Sequence, residues 1–316
     1  MKKMKKLTFL LTLLIILAVI LLITLTSDQK LILISPLLKN ERVLGINLWF
    51  PQQNLENDNT APQISAKAAL FVNTHQGQVL FEKNIHEKLP IASLVKVMTV
   101  LIALEHKGMN DEFQVSQKAA DMEPDKMLLI AGERLSLKEL LYGIFLVSAN
   151  DAAEVLAEGT TGDREEFIQL MNAKAKQLGM QNTYFVNPTG LDEDSNNSYS
   201  TTYDLAVLTR FLIKNYPEVV EISRTPHIYL PITPSHQDYD MYSGINLLTT
   251  YEGVVGFKTG YTPEAGLTLI TLAQKDGHDL PAGRQEVIGI LLGSQDRRDE
   301  ARELLDYSFN KLGIFS

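Results

Sequence analysis

Ser93 and Lys96 stand at the start of a segment that is almost entirely apolar. From Leu94 to Leu104 only Lys96 and Thr99 are polar, so a helix here has no solvent face and should run through the interior of a domain. The spacing places the hydroxyl and the amine on one helix face. Burial lowers the pKa of a lysine, and a neutral amine can accept the proton of a neighbouring hydroxyl. The pair therefore predicts an activated serine nucleophile.

The alternative interpretation of this pair is a helix cap followed by a lysine that extends to solvent. Ser-x-x-Lys also occurs at Ser27–Lys30 and at Ser308–Lys311, so the tetrapeptide alone is a weak signal. Those two matches lack the apolar surroundings. The apolar surroundings favour the nucleophile at Ser93.

Two further motifs contain groups that could act with this pair. Ser148 and Asn150 lie where one predicted helix ends and the next begins, a place where both residue types also serve as ordinary caps. The predicted strand 254–260 ends in the only Lys-Thr-Gly of the chain, Lys258-Thr259-Gly260. Each motif is weak alone, and the ordered set of three is far more specific.

In this order the three motifs resemble those of the penicillin-recognising serine acyl-transferases. The segments 166–180 and 182–191, with Tyr261-Thr262 and Ala265-Gly266 after the third motif, resemble the D-alanyl-D-alanine carboxypeptidases, which are low-molecular-mass penicillin-binding proteins. The resemblance covers about residues 65 to 314. It implies an α/β (α+β) fold of the β-lactamase/transpeptidase-like type, in which a five-stranded antiparallel sheet flanked by helices lies next to an all-helical subdomain. The active site would lie in the seam between them.

The same resemblance implies a role for each motif residue. Ser93 would be the nucleophile, Lys96 its base, Ser148 the proton relay to the leaving group, Asn150 a bridge from Lys96 to the substrate amide, and Lys258 the source of local electrostatics. Thr259, Gly260, Tyr261 and Arg297 would bind substrate: the backbone N–H groups of Ser93 and Tyr261 as the oxyanion hole, Thr259 and Arg297 at the terminal carboxylate. The adjacent Arg298 is the alternative to Arg297. No metal or cofactor is implied.

The implied activity is that of a serine-type D-alanyl-D-alanine carboxypeptidase, which removes the terminal D-alanine from peptidoglycan stem peptides through an acyl-enzyme on Ser93. β-Lactam antibiotics would act as covalent inhibitors. A serine β-lactamase is one alternative, but the commonest class adds a glutamate that activates water, and nothing between Ser148 and Lys258 places one. A non-hydrolysing penicillin-binding sensor is the other, and the six residues before the apolar N-terminal run leave no room for a signalling domain.

Composition narrows the classes of function further. The chain has 316 residues and a net charge of −9, which disfavours nucleic-acid binding. It has no cysteine, so disulfides, thiolate metal sites and a cysteine nucleophile are excluded. Its six histidines are scattered without the spacing of metal ligands. The motif residues therefore remain the main candidates for chemistry.

The elements that must position these residues follow from periodicity and from start and stop signals. We predict a hairpin over 68–72 and 78–82, helices over 94–104, 136–147, 163–178, 203–214 and 296–312, and strands over 252–260, 265–275 and 286–293. Strands thus come from both ends of the domain and helices from its middle. This order predicts one sheet with a helical region inserted into it.

The N-terminus predicts a membrane anchor. Residues 1–6 carry four lysines and would stay in the cytoplasm, and Leu7–Thr26 is an uncharged run long enough for one crossing. A cleaved signal peptide is the alternative, but the run ends without small residues of the Ala-x-Ala type. Residues 27–62 would form a juxtamembrane linker and 63–316 the catalytic domain, outside the cytoplasm. The patch around Trp49 could dock on the membrane or on the domain.

Overall fold

A computed structural model of the chain describes residues 49–52, 60–193, 196–276 and 283–314. The strands are β1 (Ala68–Asn73), β2 (Val79–Lys83), β3 (Leu89–Pro90), β4 (Glu112–Gln114), β5 (Arg134–Ser136), β6 (Tyr199–Ser200), β7 (His227–Leu230), β8 (Tyr239–Tyr242), β9 (Val254–Thr262), β10 (Gly266–Asp276) and β11 (Arg284–Ser294). The helices are α1 (Lys96–His106), α2 (Gln117–Ala120), α3 (Leu137–Leu146), α4 (Asn150–Thr161), α5 (Arg164–Gln177), α6 (Thr202–Asn215), α7 (Glu218–Ser223), α8 (Leu247–Thr250) and α9 (Arg297–Lys311).

One five-stranded antiparallel sheet joins the two ends of the predicted domain, in the order β2-β1-β11-β10-β9. The first two strands precede the helical middle and the last three follow it, as the order of elements along the sequence predicted. Strand β9, which contains the Lys-Thr-Gly motif, is therefore an edge strand of this sheet. An edge position leaves one side of the motif open to a ligand.

The sheet is buried on both faces. On one face, alternate residues such as Phe71 of β1 and Leu291 of β11 pack with Leu304, Leu305 and Phe309 of α9. On the other face, α6 packs against β1 and β11. Alternation of side chains across each strand supplies apolar residues to both layers, and this burial holds the strand that carries the third motif in place.

Helix α1 lies between the sheet side and the inserted helices. It contacts α6 on one side and α3, α4 and α5 on the other, and every residue from Lys96 to Leu104 is buried. The prediction of a helix without a solvent face is confirmed. The inserted region is not wholly helical, because β4 pairs with β5 beside α2. A second hairpin of β7 and β8 precedes the last three strands of the sheet.

The starts of three helices follow their sequence signals. Ser136 caps α3 in a complete capping box with Glu139, and Asp163 caps α5. Asp296 caps α9, which places Arg297 in its first position. These caps fix where the helices that flank the motifs begin.

Part of the predicted linker lies on the domain. The amide of Gln52 donates to the carbonyl of Gly77 at 2.7 Å, and Trp49 lies beside Gly77 and against Arg210. Trp49 itself therefore docks on the domain, and the part of its patch before residue 49 lies outside the described residues. Among the described residues, no helix combines the length and apolarity needed to cross a membrane. The predicted span Leu7–Thr26 lies outside those residues.

Candidate active site

Ser93 lies in a 3₁₀ turn, Ala92–Val95, that ends where α1 begins. The φ of Ala92 is 48°, in the left-handed region that costs a residue with a Cβ roughly 1–3 kcal/mol. Two glycines let the neighbouring backbone approach this turn. A Cβ on Gly190 would lie 2.0 Å from the carbonyl oxygen of Ala92, and one on Gly260 would lie 3.0 Å from the amide nitrogen of Ser93. Close packing against main chain therefore fixes the position of the serine.

Lys96 is completely buried and makes three polar contacts. Its Nζ lies 2.8 Å from Ser93 Oγ, 2.7 Å from Asn150 Oδ1 and 2.6 Å from the carbonyl oxygen of Thr189. Asn150 Nδ2 donates to the carbonyl of Pro124, which fixes Oδ1 as the atom that faces the amine. The structure thus brings the first two motifs together at one nitrogen.

The pKa of Lys96 lies well below the usual lysine range. Burial is the main cause, and the nearby Lys258 lowers the pKa further, while Asp125 and Asp151 act in the opposite direction. A neutral amine has two N–H donors and one lone pair. The oxygens of Asn150 and Thr189 can only accept hydrogen bonds, so they take the two N–H groups. The lone pair is then left for the hydroxyl of Ser93, which is the arrangement of a general base.

The second serine and the second lysine form a matching pair. Ser148 occupies the junction between α3 and α4 with a φ of 61°. Lys258 Nζ donates to Ser148 Oγ at 2.8 Å and to the carbonyl of Thr259 at 2.6 Å. Burial lowers the pKa of Lys258 to about 7, with Arg297 adding to the shift and Asp125 opposing it. A lysine with this pKa exchanges protons readily near neutrality.

Strand β9 brings the third motif to the serine. Gly260 lies against the Ser93 turn, and the next residue, Tyr261, has an exposed side chain. The guanidinium of Arg297 donates to the carbonyls of Gly260 at 2.6 Å and Thr268 at 3.3 Å, so it lies directly behind the strand. Arg298 is exposed and pairs with Asp299. Of the two arginines, only Arg297 contacts the strand of the third motif.

Three groups that help to build the site were not predicted from the sequence. The carbonyl of Thr189 accepts from the base, and the carbonyl of Asp125 accepts from the amide of Asn150 at 2.7 Å. Asp151 accepts from the amides of Met127 and Leu129, which holds the loop after Pro124 beside the site. The turn residues around Thr189 were recognisable in the sequence, but main-chain acceptors have no side-chain signature. Within the described ranges, no cluster of His, Asp or Glu side chains is suited to a metal ion.

Comparison with known proteins places these residues in a context. A family model described as D-alanyl-D-alanine carboxypeptidase matches residues 55–283. The D-alanyl-D-alanine carboxypeptidase DacF of Bacillus subtilis is 36% identical over 254 residues, which cover 78% of this chain and 62% of that protein. The chain therefore spans less than two thirds of the length of that relative.

Solved structures of similar proteins share the fold. A penicillin-binding protein from Listeria monocytogenes in an ampicillin-bound form is 31% identical with a TM-score of 0.65, and the match covers 79% of this chain and 100% of that chain. A Streptomyces DD-transpeptidase is 26% identical with a TM-score of 0.72, with the same coverage of 79% and 100%.

The buried Lys258 predicts a pH dependence of stability. Its pKa is about 7 in the folded chain, and an unfolded lysine has a pKa of about 10.4. At pH values between these two pKa values, Lys258 is protonated in the unfolded chain and neutral in the folded chain. The free energy of unfolding therefore contains a contribution that rises with pH. Lys258→Met should remove it. Urea unfolding followed by the fluorescence of Trp49, the single tryptophan, at pH values from about 7 to 9 should show a shallower rise in the variant.

Lys176→Met serves as the control, since this lysine lies on the exposed side of α5. We expect it to keep the wild-type dependence on pH. An unchanged dependence in Lys258→Met would contradict the burial of an uncharged amine at this position.

Proposed function

The chain belongs to the D-alanyl-D-alanine carboxypeptidase family, and we propose that it removes the terminal D-alanine from peptidoglycan stem peptides through an acyl-enzyme on Ser93. The observation that supports this most directly is the contact of 2.8 Å between Lys96 Nζ and Ser93 Oγ. The other two partners of Lys96 are obligate acceptors, so its lone pair is available to the hydroxyl.

In the proposed acylation, Ser93 Oγ attacks the carbonyl carbon between the two terminal D-alanines while Lys96 takes the hydroxyl proton. The developing oxyanion accepts hydrogen bonds from the backbone N–H groups of Ser93 and Tyr261, and removal of one such donor typically costs about 3–4 kcal/mol of barrier. The closeness of Gly260 to the amide of Ser93 supports a role for this part of β9. Asn150 stays bonded to Lys96 through Oδ1. Its Nδ2 donates one N–H to the carbonyl of Pro124 and offers the other to the substrate amide.

Departure of D-alanine requires a proton on its nitrogen. Ser148 Oγ is suited to supply it, because Lys258 lies 2.8 Å away and has a pKa of about 7. A substrate carboxylate next to Lys258 would favour its charged form, so a bound substrate itself would protonate the lysine behind Ser148. Lys258, which replaces the proton that Ser148 gives to the leaving group, then takes up the proton that Lys96 accepted from Ser93, so Lys96 is neutral again. Water attacks the ester while Lys96 takes a proton from it, and Lys96 passes that proton to Ser93 Oγ as the ester bond breaks.

β-Lactams would acylate the same serine. The similarity to the Listeria monocytogenes protein, described in ampicillin-bound and cefotaxime-bound forms, supports this proposal. The glutamate that the β-lactamase alternative requires has no counterpart near Lys96 in the described part of the chain. The buried Glu154 is held by Arg164 at 2.7 Å and by Lys118 at 3.0 Å, and is thus engaged in ion pairs.

The full chain in detergent tests the proposed reaction. Labelled penicillin should attach covalently to the wild type and not to Ser93→Ala, and a D-Ala-D-Ala pentapeptide should give tetrapeptide and free D-alanine with the wild type alone. Ser65→Thr is the control, because this hydroxyl lies at the surface just before β1. It should leave both reactions unchanged. Labelling of Ser93→Ala on another serine would overturn the assignment.

A large excess of a D-amino acid in the same reaction separates hydrolysis from transfer. The similarity to a Streptomyces DD-transpeptidase makes acyl transfer to an amine the second candidate. Both reactions share every step up to the acyl-enzyme, so only the products distinguish them. Predominantly acceptor-linked peptide would replace the hydrolytic assignment by the transfer reaction.

Arg297 should contribute to binding of the substrate carboxylate. It is mostly buried behind β9 and donates to the carbonyl of Gly260, next to Thr259 and Lys258. Arg297→Ala should raise KM for the pentapeptide by about tenfold or more, since a charge-assisted contact contributes about 1.5–3 kcal/mol. Arg298→Ala is the matched control, because its side chain faces solvent and should change KM less than about twofold. Equal effects of both variants would contradict the role of Arg297.

We further propose that Leu7–Thr26 is retained as a membrane anchor, with the catalytic domain on the extracytoplasmic side. Support comes from the lysines before the run and from its length without a charge. The substrate class also lies outside the cytoplasmic membrane. Trp49 and Gln52 already contact the domain, so the connection from the end of the run to the domain spans residues 27–48.

The mass of the mature chain tests the anchor. Protein recovered from membranes after alkaline washing should begin at or next to Met1 and carry the whole N-terminal run. A variant with Ala-x-Ala introduced at 24–26 should be cleaved and released, which provides the matched control. A wild-type chain that starts near Ser27 would refute the anchor and favour the signal peptide.

A further inference from the structure

Asn187 is a completely buried side chain at the start of a tight turn. Its Oδ1 accepts from the amide of Gly190 at 2.6 Å, and from the amide and hydroxyl of Thr189 at 3.2 Å each. Its Nδ2 donates to the carbonyl of Leu191 at 2.9 Å and to Glu193 Oε1 at 3.0 Å. One side chain thus bonds main-chain groups of Thr189, Gly190 and Leu191 at once.

This turn presents two consecutive carbonyl oxygens to helix α1. Thr99 Oγ1 donates to the carbonyl of Pro188 at 2.6 Å, and Lys96 Nζ lies 2.6 Å from the carbonyl of Thr189. Lys96 and Thr99 are the two polar residues of the apolar stretch, and their spacing puts them on one face of the helix. The polar face of α1 therefore matches the turn that Asn187 folds.

The turn has little freedom to move toward the base. Gly190 has a φ of 82°, and a Cβ there would lie 2.0 Å from the carbonyl oxygen of Ala92. On the outer side, Glu193 accepts from Arg164 at 3.2 Å, and Arg164 pairs with the buried Glu154. A chain of hydrogen bonds and ion pairs therefore runs from α4 and α5 through Asn187 to Lys96.

We propose that Asn187 is a positioning residue for the general base. It folds the turn so that the carbonyl of Thr189 occupies one N–H group of Lys96, which leaves the lone pair of the amine directed at Ser93. This inference rests on the proposed function, since it assigns a role within the acylation step. Thr189 itself contributes a main-chain atom, so a change of its side chain cannot reproduce the loss of that carbonyl.

The proposal predicts two changes in Asn187→Ala. The plateau of the acylation rate should fall by about tenfold or more, because general-base catalysis contributes about 10²–10⁴-fold and depends on geometry. A carbonyl oxygen also favours the ammonium form of the amine that it faces, so its displacement should lower the pKa of Lys96. The acidic limb of the rate profile should then move to lower pH, which a general loss of stability would not cause.

The experiment measures acylation of the full chain by labelled penicillin from about pH 5 to pH 10, with each rate corrected for the folded fraction. Asn187→Asp keeps an acceptor oxygen for the turn but loses the donor to Leu191 and faces Glu193 with a second carboxylate, so it should recover the plateau only in part. Thr99→Val removes only the bond to Pro188 and should shift the plateau and the acidic limb in the same direction as Asn187→Ala. This milder variant also tests the proposal if Asn187→Ala does not fold.

Asn73→Ala is the matched control. Asn73 is buried, its Oδ1 accepts from the amides of His75 and Gln76 at 2.9 and 3.2 Å, and its Nδ2 donates to Gln285 at 2.8 Å. It folds a similar turn at the end of β1, without contact to Lys96. We expect a loss of stability with an unchanged rate profile.

Profiles of Asn187→Ala and Thr99→Val that coincide with those of the wild type and the control would overturn the positioning role. The failure of the proposed function looks different, since the wild type would then not be labelled at Ser93 at all. A wild type that is labelled normally beside unaltered Asn187 variants refutes the inference and leaves the function intact.

Discussion

The burial of the amine of Lys96 in an apolar helix is the constraint on which the site depends. A charged lysine at this place would be strongly destabilising unless it were paired, and no carboxylate contacts it directly in the described structure. The neutral amine avoids this penalty, but it still needs acceptors for its two N–H groups. Those acceptors come from distant parts of the chain, Asn150 on α4 and Thr189 in a turn. Because the amine of Lys96 needs two hydrogen-bond acceptors, α4 and the turn that contains Thr189 must both pack against α1.

The second lysine extends the same constraint to the edge of the sheet. Lys258 is buried near Lys96, and its positive charge adds to the lowering of the pKa of Lys96. Arg297 adds a permanent positive charge behind β9 and lowers the pKa of Lys258 in turn. The groups that can carry positive charge thus lie close together at this edge of the site. A substrate that ends in a carboxylate would offset the repulsion between these positive groups and favour the charged form of Lys258. Recognition of the terminal residue is thereby linked to the proton that the leaving group needs.

The sequence predicted the parts of this arrangement that have side-chain signatures. The buried helix, the capping box at Ser136 and the strands at both ends of the domain follow from periodicity and capping rules. The structure also brings residues of the three motifs close together. The hairpin of β7 and β8 was not predicted, because its short strands lie among turn residues. The left-handed conformations of Ala92 and Ser148 could not be predicted from the sequence either, because tertiary packing imposes them against the local preference of the backbone.

The carbonyl of Thr189 shows why a site of this kind can be predicted only in part from the sequence. Any residue at that position carries the same oxygen, so the direction of the group depends on the neighbours that shape the backbone. Gly190 permits the left-handed step, and Thr99 binds the preceding carbonyl from within α1. The bond from Thr99 to the turn explains the second polar position in the apolar stretch from Leu94 to Leu104, as the role of Lys96 explains the first. The two polar residues form one recognition surface for a turn, and the orientation of the base depends on both.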